Sequence, residues 1–194
     1  MTDKPNDPIR QALAERPDGV LEAVADAHGV PLQAVLDRLP EGAAIRVPGS
    51  LFEEIWKDLT GWGEIVFIVH TADGVFECRG TVPPGSFGRG SFNVHGESPI
   101  GGHIRADRCR FVYFVDRPFF GRRSCSVQFV NGEGGAMFKV FVGRNADRSL
   151  KADQVARFEA LRDGLRTAHC GNAPAQQARE KAAPAGAGPY QASS

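Results

Sequence analysis

The sequence predicts an α+β chain, with helices first, an antiparallel sheet in the middle and one helix near the end. Three observations predict it. Residues 8–60 carry apolar side chains at a spacing of three and four, the period of a helix. From Glu64 the period changes to two, or to unbroken apolar runs, and residues 150–168 return to the helical spacing. The links between the middle segments are short and made of turn residues, as in Ala72-Asp73-Gly74 and Asn131-Gly132-Glu133-Gly134-Gly135. Such links join antiparallel neighbours, because a parallel pair needs a crossover of a dozen residues or more.

In chain order, residues 8–16 read as a helix broken by Pro17-Asp18-Gly19. Residues 20–28 set Leu21, Val24 and Ala25 on one stripe, and Gly29 ends it, with His28 as a cation at the helix end. Residues 31–39 place Leu32, Val35, Leu36 and Leu39 on one face. Residues 40–49 read as a connector. Ser50 is then expected to cap a helix over 51–60, with Glu53 closing a capping box and Phe52, Ile55, Trp56 and Leu59 buried.

The helix-turn-helix look of residues 22–39 raises DNA binding. The second helix offers only Gln33 and Arg38 for phosphates and base edges, so packing of a small helical cap is the better account.

Strands are expected at 64–70, 74–81, 90–95, 103–105, 110–116, 124–131 and 136–142, rich in β-branched and aromatic residues. Several, such as Phe111-Val112-Tyr113-Phe114-Val115, are apolar on both faces, so helices or a second sheet must cover each face. The last helix presents Val155, Phe158, Leu161 and Leu165. The expected organisation is a flexible start (1–7) and one domain over 8–170, followed by a disordered Ala/Pro-rich tail (171–194). That domain divides into a helical cap (8–60), a sheet (63–143) and a C-terminal helix (150–169).

Composition excludes several classes. The 23 basic and 23 acidic side chains give no field that draws nucleic acid or an anionic membrane. The four cysteines show no metal-knuckle spacing, and no H-x-x-x-H pair exists. No apolar run is long enough to span a bilayer or serve as a signal peptide, so a soluble cytoplasmic protein with reduced thiols is expected. Gly85-Ser86-Phe87-Gly88-Arg89-Gly90 is glycine-rich but precedes a strand, where no helix dipole awaits a phosphate.

Of five histidines, His28 and His169 end helices and His95 lies beside a turn. His70 ends an apolar strand, and His103 follows Gly101-Gly102, which let backbone or ligand approach closely. These two are the candidate chemical groups, although a histidine so placed is more often hydrogen-bonded than ligating.

Several ordered motifs resemble one family. They are the run from Trp62-Gly63-Glu64 to His70-Thr71-Ala72-Asp73-Gly74, then Gly90-Ser91-Phe92-Asn93 and Gly102-His103-Ile104-Arg105-Ala106-Asp107-Arg108-Cys109. Arg117-Pro118-Phe119-Phe120-Gly121, Met137-Phe138-Lys139-Val140-Phe141-Val142-Gly143-Arg144 and Asp153-Gln154 continue the series, and Arg16-Pro17-Asp18-Gly19 precedes it. Over residues 8–168 the chain resembles the haem-utilisation proteins of the ChuX/HutX type.

The resemblance implies an α+β fold with a large antiparallel sheet flanked by N-terminal helices and a C-terminal helix, as in the duplicated ChuS/HemS haem proteins. It implies haem as cargo, a homodimer, and a cytosolic carrier that passes haem to a haem-degrading or haem-using partner. The rival reading is an enzyme that opens the haem ring. His103 and His70 match the suspected iron ligands. Some relatives carry a tyrosine where this chain has Ser91, so phenolate ligation there is ruled out. Haem needs an apolar slot and cations for its propionates. The sheet is expected to supply apolar faces with Phe67, Phe76, Phe92, Phe129, Phe138 and Phe141, and one or two of Arg105, Lys139 and Arg144, at strand ends or on alternate positions, to pair with propionates.

Overall fold

The structure, a computed structural model, describes residues 7–170, with only the backbone of residues 169 and 170. The tail and the side chain of His169 lie outside the described residues.

The cap comes first. Asp7 begins helix α1 (Pro8–Glu15) by accepting hydrogen bonds from the Ile9 and Arg10 amides, and its carboxylate also takes the Arg38 guanidinium at 2.9 Å. Helix α2 (Leu21–His28) ends where Gly29 turns left-handed at φ 61°, and α3 (Leu32–Leu36) is a single short stretch. Their apolar stripes bury Leu13, Leu21, Leu32, Val35 and Leu36 against Tyr113, Val115 and Val130 of the sheet. The apolar face of α3 is thus spent on packing the cap against the sheet.

Residues 40–49 are not a plain connector, because they contain strand β1 (Ala44–Pro48), which pairs with β7 (Cys109–Phe119). Its alternation is too short to read before the partner is known. The chain leaves β1 through a 3-10 turn, Gly49–Leu51, into α4 (Phe52–Leu59). The turn requires glycine at 49, since a Cβ there would lie 2.0 Å from the Cys109 carbonyl oxygen. It also displaces the expected capping box: the Phe52 amide bonds to the Gly49 carbonyl, leaving Leu51 at the helix start with no side-chain cap.

Strands β2 (Glu64–Thr71), β3 (Gly74–Thr81), β8 (Arg122–Asn131) and β9 (Ala136–Phe141) complete a six-stranded sheet with β1 and β7. Its order is β1-β7-β8-β9-β2-β3, antiparallel throughout. The glycine-rich stretch is itself a strand, β4 (Gly85–Gly88), which pairs with β5 (Ser91–Val94) and through it with β6 (Gly102–Ile104) in a second sheet. Gly85 is small because the Phe92 ring covers it; a Cβ would sit 2.2 Å from that ring.

The face opposite the cap carries the larger core. Val112, Phe114, Val127, Phe129, Phe138 and Val140 meet Phe52, Ile55, Trp56 and Leu59 of α4. Phe158 and Leu165 of α5 (Ala152–Cys170) and Phe92 and Val94 of the small sheet close it. Each such side chain is worth about 1.5–3 kcal/mol. Two polar side chains in this core are hydrogen-bonded: the Trp56 indole donates to the Pro83 carbonyl at 2.9 Å. Gln154, 1 % exposed, accepts from the Gly143 amide and donates to the Trp62 and Glu64 carbonyls, locking α5 to the start of β2 and the end of β9. Among the described residues no helix is long and apolar enough to cross a membrane.

Candidate ligand-binding site

Alternation along β2 separates the candidate residues. Val66, Ile68 and His70 face the cap, whereas Phe67 and Val69 face the small sheet. Two clefts result. The cap-side cavity, about 270 Å³, holds His70, Lys139 and Arg144. The other, about 400 Å³, holds His103 and Arg105 beside Phe67, Val69, Ile100 and Met137. Within one chain the two imidazoles therefore do not share a cavity.

His103 is exposed on β6, the edge of the small sheet, directly across from Asn93 on β5. Its Nδ1 lies 2.7 Å from the Asn93 Oδ1. A carbonyl oxygen only accepts, so Nδ1 donates to it, and in the neutral ring this leaves the lone pair on Nε2. This is the arrangement of a ligand imidazole whose orientation is fixed by a neighbour. Asn93 is itself held, since its amide nitrogen donates to the carbonyls of Ser86, Gly88 and Ser91.

His70 is differently engaged. Its Nδ1 is 3.4 Å from Glu22 Oε1, and the same oxygen takes the ammonium of Lys139. Lys139, only 6 % exposed, is thus a buried ion-pair member in mid-strand. Arg105 forms a two-pronged pair with Asp107, Nε to Oδ1 2.9 Å and Nη2 to Oδ2 2.7 Å. The Arg144 guanidinium donates to the Arg148 and Arg123 carbonyls, and among the described residues no carboxylate pairs with it.

The six phenylalanines do not share one cleft. Phe92, Phe129 and Phe138 are consumed in the core around α4, Phe76 is 68 % exposed on β3, and Phe67 and Phe141 line different clefts. Among the described residues no phenolate replaces the imidazoles, because burial first, and then the Asp37 carboxylate 2.7 Å away, push the Tyr113 phenol well above its usual range.

Sequence reasoning missed Glu22, Asn93, Arg117 and Gln128. Asn93 stood among the matching motifs without a role. Arg117 stood there likewise, and for Gln128 a signal existed: Ser124, Ser126 and Gln128 alternate with Cys125, Val127 and Phe129, a polar stripe in a strand whose other face is core.

Comparison with known proteins places the chain in a family. Residues 45–161 match the family described as Haem utilisation ChuX/HutX. The chain belongs to this family. The intracellular heme transport protein HutX of Vibrio cholerae serotype O1 is 32 % identical over 154 residues, 79 % of this chain and 80 % of that one. Two solved structures superpose on most of the chain. One is a protein from Agrobacterium tumefaciens (51 % identity, TM-score 0.75, 82 % of this chain and 91 % of that one). The other is the heme-binding protein ChuX (36 % identity, TM-score 0.75, 81 % and 99 %). ChuS of Escherichia coli O157:H7, at 14 % identity and TM-score 0.64, shares the fold alone, and this chain spans 49 % of its length. The α+β architecture expected of the ChuX/HutX family, a large antiparallel sheet between terminal helices, is the one observed.

Proposed function

We propose that this chain is an intracellular haem carrier and that His103 is its principal iron ligand. The observation that carries the reading is the Asn93-held imidazole, whose free nitrogen stands at the mouth of an apolar cleft. Neutral imidazole is a ready iron ligand, and a cleft of this size and shape takes part of a planar apolar ring. The exposure of His103 suits a carrier, because cargo that is to be passed on needs an exchangeable site. Membership of the ChuX/HutX family, with relatives described as a heme transporter and a heme-binding protein, supports haem as the guest.

His70 is the second ligand in this reading, supplied by another copy of the chain. His70 and His103 line clefts on opposite faces of β2, so one iron held by both takes them from two copies. Both sit near open sheet edges: His103 on β6, His70 beside Val75 of β3. Val75 and Phe76, 53 % and 68 % exposed, are apolar surface for such a homodimer to cover. The recipient of the haem is then a haem-degrading or haem-using protein.

Titration of the purified protein with ferric haem tests the reading. A stoichiometric shift of the Soret band is expected, and no shift would sink it. Adding a reductant under oxygen, with peroxide scavenged, should yield no catalytic turnover of haem to an opened tetrapyrrole.

A further inference from the structure

The cap-side cavity has a floor unlike its walls. Val20 and Leu21 of the cap and Val66, Ile68 and Phe141 of β2 and β9 make apolar walls, whereas Arg117, Ser124, Ser126, Gln128 and Lys139 put polar groups on the sheet between them. All five floor residues are more than nine-tenths buried. Arg117 is the anomaly. One of its nitrogens, Nη2, donates to the Pro17 carbonyl at 2.6 Å, but its Nε has no partner among the described residues. No carboxylate forms an ion pair with it among the described residues, and burial depresses its pKa despite the more distant charges of Asp18 and Glu22. Gln128 shows the complementary defect: its amide nitrogen donates to Ser126 Oγ while its Oε1 is buried without a partner.

A buried guanidinium without a counter-charge and a buried amide oxygen without a donor both cost free energy, and a folded protein retains such groups where something else completes them. The charges say what. Arg79, Arg117, Lys139 and Arg144 line the cavity against only Glu22 and Glu77, leaving an excess of two positive charges inside a partly apolar space. We propose that this floor is a carboxylate-binding subsite centred on Arg117 and completed by Ser124 and Gln128. The Arg117 Nε–H and the Ser124 hydroxyl donate to the guest's oxygens, and a half-turn of the Gln128 amide turns its N–H groups to the same task. The apolar walls select an acid on an apolar body over a small hydrated anion. At about 270 Å³ the cavity is too small to enclose a tetrapyrrole, so a haem would enter by its propionate edge. In that form the subsite rests on the haem reading above; a separate apolar carboxylic acid is the other source of the same chemistry.

The experiment compares ferric haem, its dimethyl ester and pyrenebutyrate, an apolar monocarboxylate, on the wild type, Arg117→Met and Gln128→Glu. Met keeps the volume and removes the charge; Glu places a competing carboxylate on the floor and leaves the Arg117 link to Pro17 intact. With haem as the source, each variant weakens the free acid about tenfold or more, the ester binds each protein alike, and the Soret position stays unchanged. With a separate acid as the source, haem binding is indifferent and pyrenebutyrate binding is lost in both variants. Either outcome supports the subsite, and wild type that binds pyrenebutyrate but no haem removes only the haem reading. Acid and ester weakened equally, or neither acid affected by either variant, overturns the proposal.

Discussion

The Nδ1 of His103 and the Oδ1 of Asn93 lie 2.7 Å apart across the β5–β6 pair. The contact fixes both the tautomer and the tilt of the ring. If His103 ligates haem iron, Asn93→Leu should weaken ferric haem binding about 10- to 100-fold while the imidazole stays in place. His103→Ala should go further and move the Soret band. His95→Ala, on an exposed residue at the end of the same hairpin, serves as control and should change neither. An unchanged spectrum and affinity in both His103→Ala and Asn93→Leu would remove His103 from the site.

Glu22 joins Lys139 and His70 on the cap side. Glu22→Ala leaves the Lys139 ammonium buried and unpaired, so a loss of about 3 kcal/mol in denaturant unfolding is expected. Replacing both partners, as in Glu22→Leu/Lys139→Met, should recover most of it, because two apolar groups leave no orphaned charge. If the double variant is no more stable than Glu22→Ala, the cost lies elsewhere than in the stranded charge.

Edge strand β3 exposes Val75 and Phe76 at 53 % and 68 %. Phe76→Lys should dissociate a dimer assembled along this edge without unfolding the protomer, since an edge lysine discourages strand pairing. Sedimentation reads the result directly. A wild-type mass of one chain across micromolar concentrations would refute the homodimer.

Acid should loosen the clasp between the β7–β8 hairpin and α5. Arg123 holds Asp116 with two hydrogen bonds and reaches Glu159 at 2.7 Å. The hydrogen bond from Arg123 is the chief reason the Asp116 carboxyl titrates below its ordinary value, against the opposing effect of burial. A folded-state pKa that is depressed stabilises fully above the unfolded value near ~4 and is lost as pH falls through the folded one. Asp116→Asn should therefore be less stable than wild type at pH 7, with the gap closing toward pH 2. A gap that stays constant with pH would show that the ion pair contributes nothing.

The order of helices and strands was legible because period and turn chemistry are local properties. Leu32, Val35 and Leu36 announced a buried helix face, and Phe111 to Val115 a strand covered on both sides. Strand β1 was not legible, because five residues of Ala44–Pro48 acquire their meaning only from β7, more than sixty positions later. The polar stripe Ser124, Ser126 and Gln128 reads by itself as a solvent face; the helical cap makes it the buried floor of a cavity.

For the site, residues alone nominated His70 and His103 as chemical groups, since strand ends and flanking glycines are written in the chain. That they occupy different clefts followed from strand alternation combined with what covers each face, and only the fold supplies the cover. The pairing of Lys139 with Glu22, 117 positions apart, likewise belongs to the tertiary structure. Periodicity determines that two faces differ; the packing of distant segments against those faces decides which polar groups are satisfied and which are left to a guest.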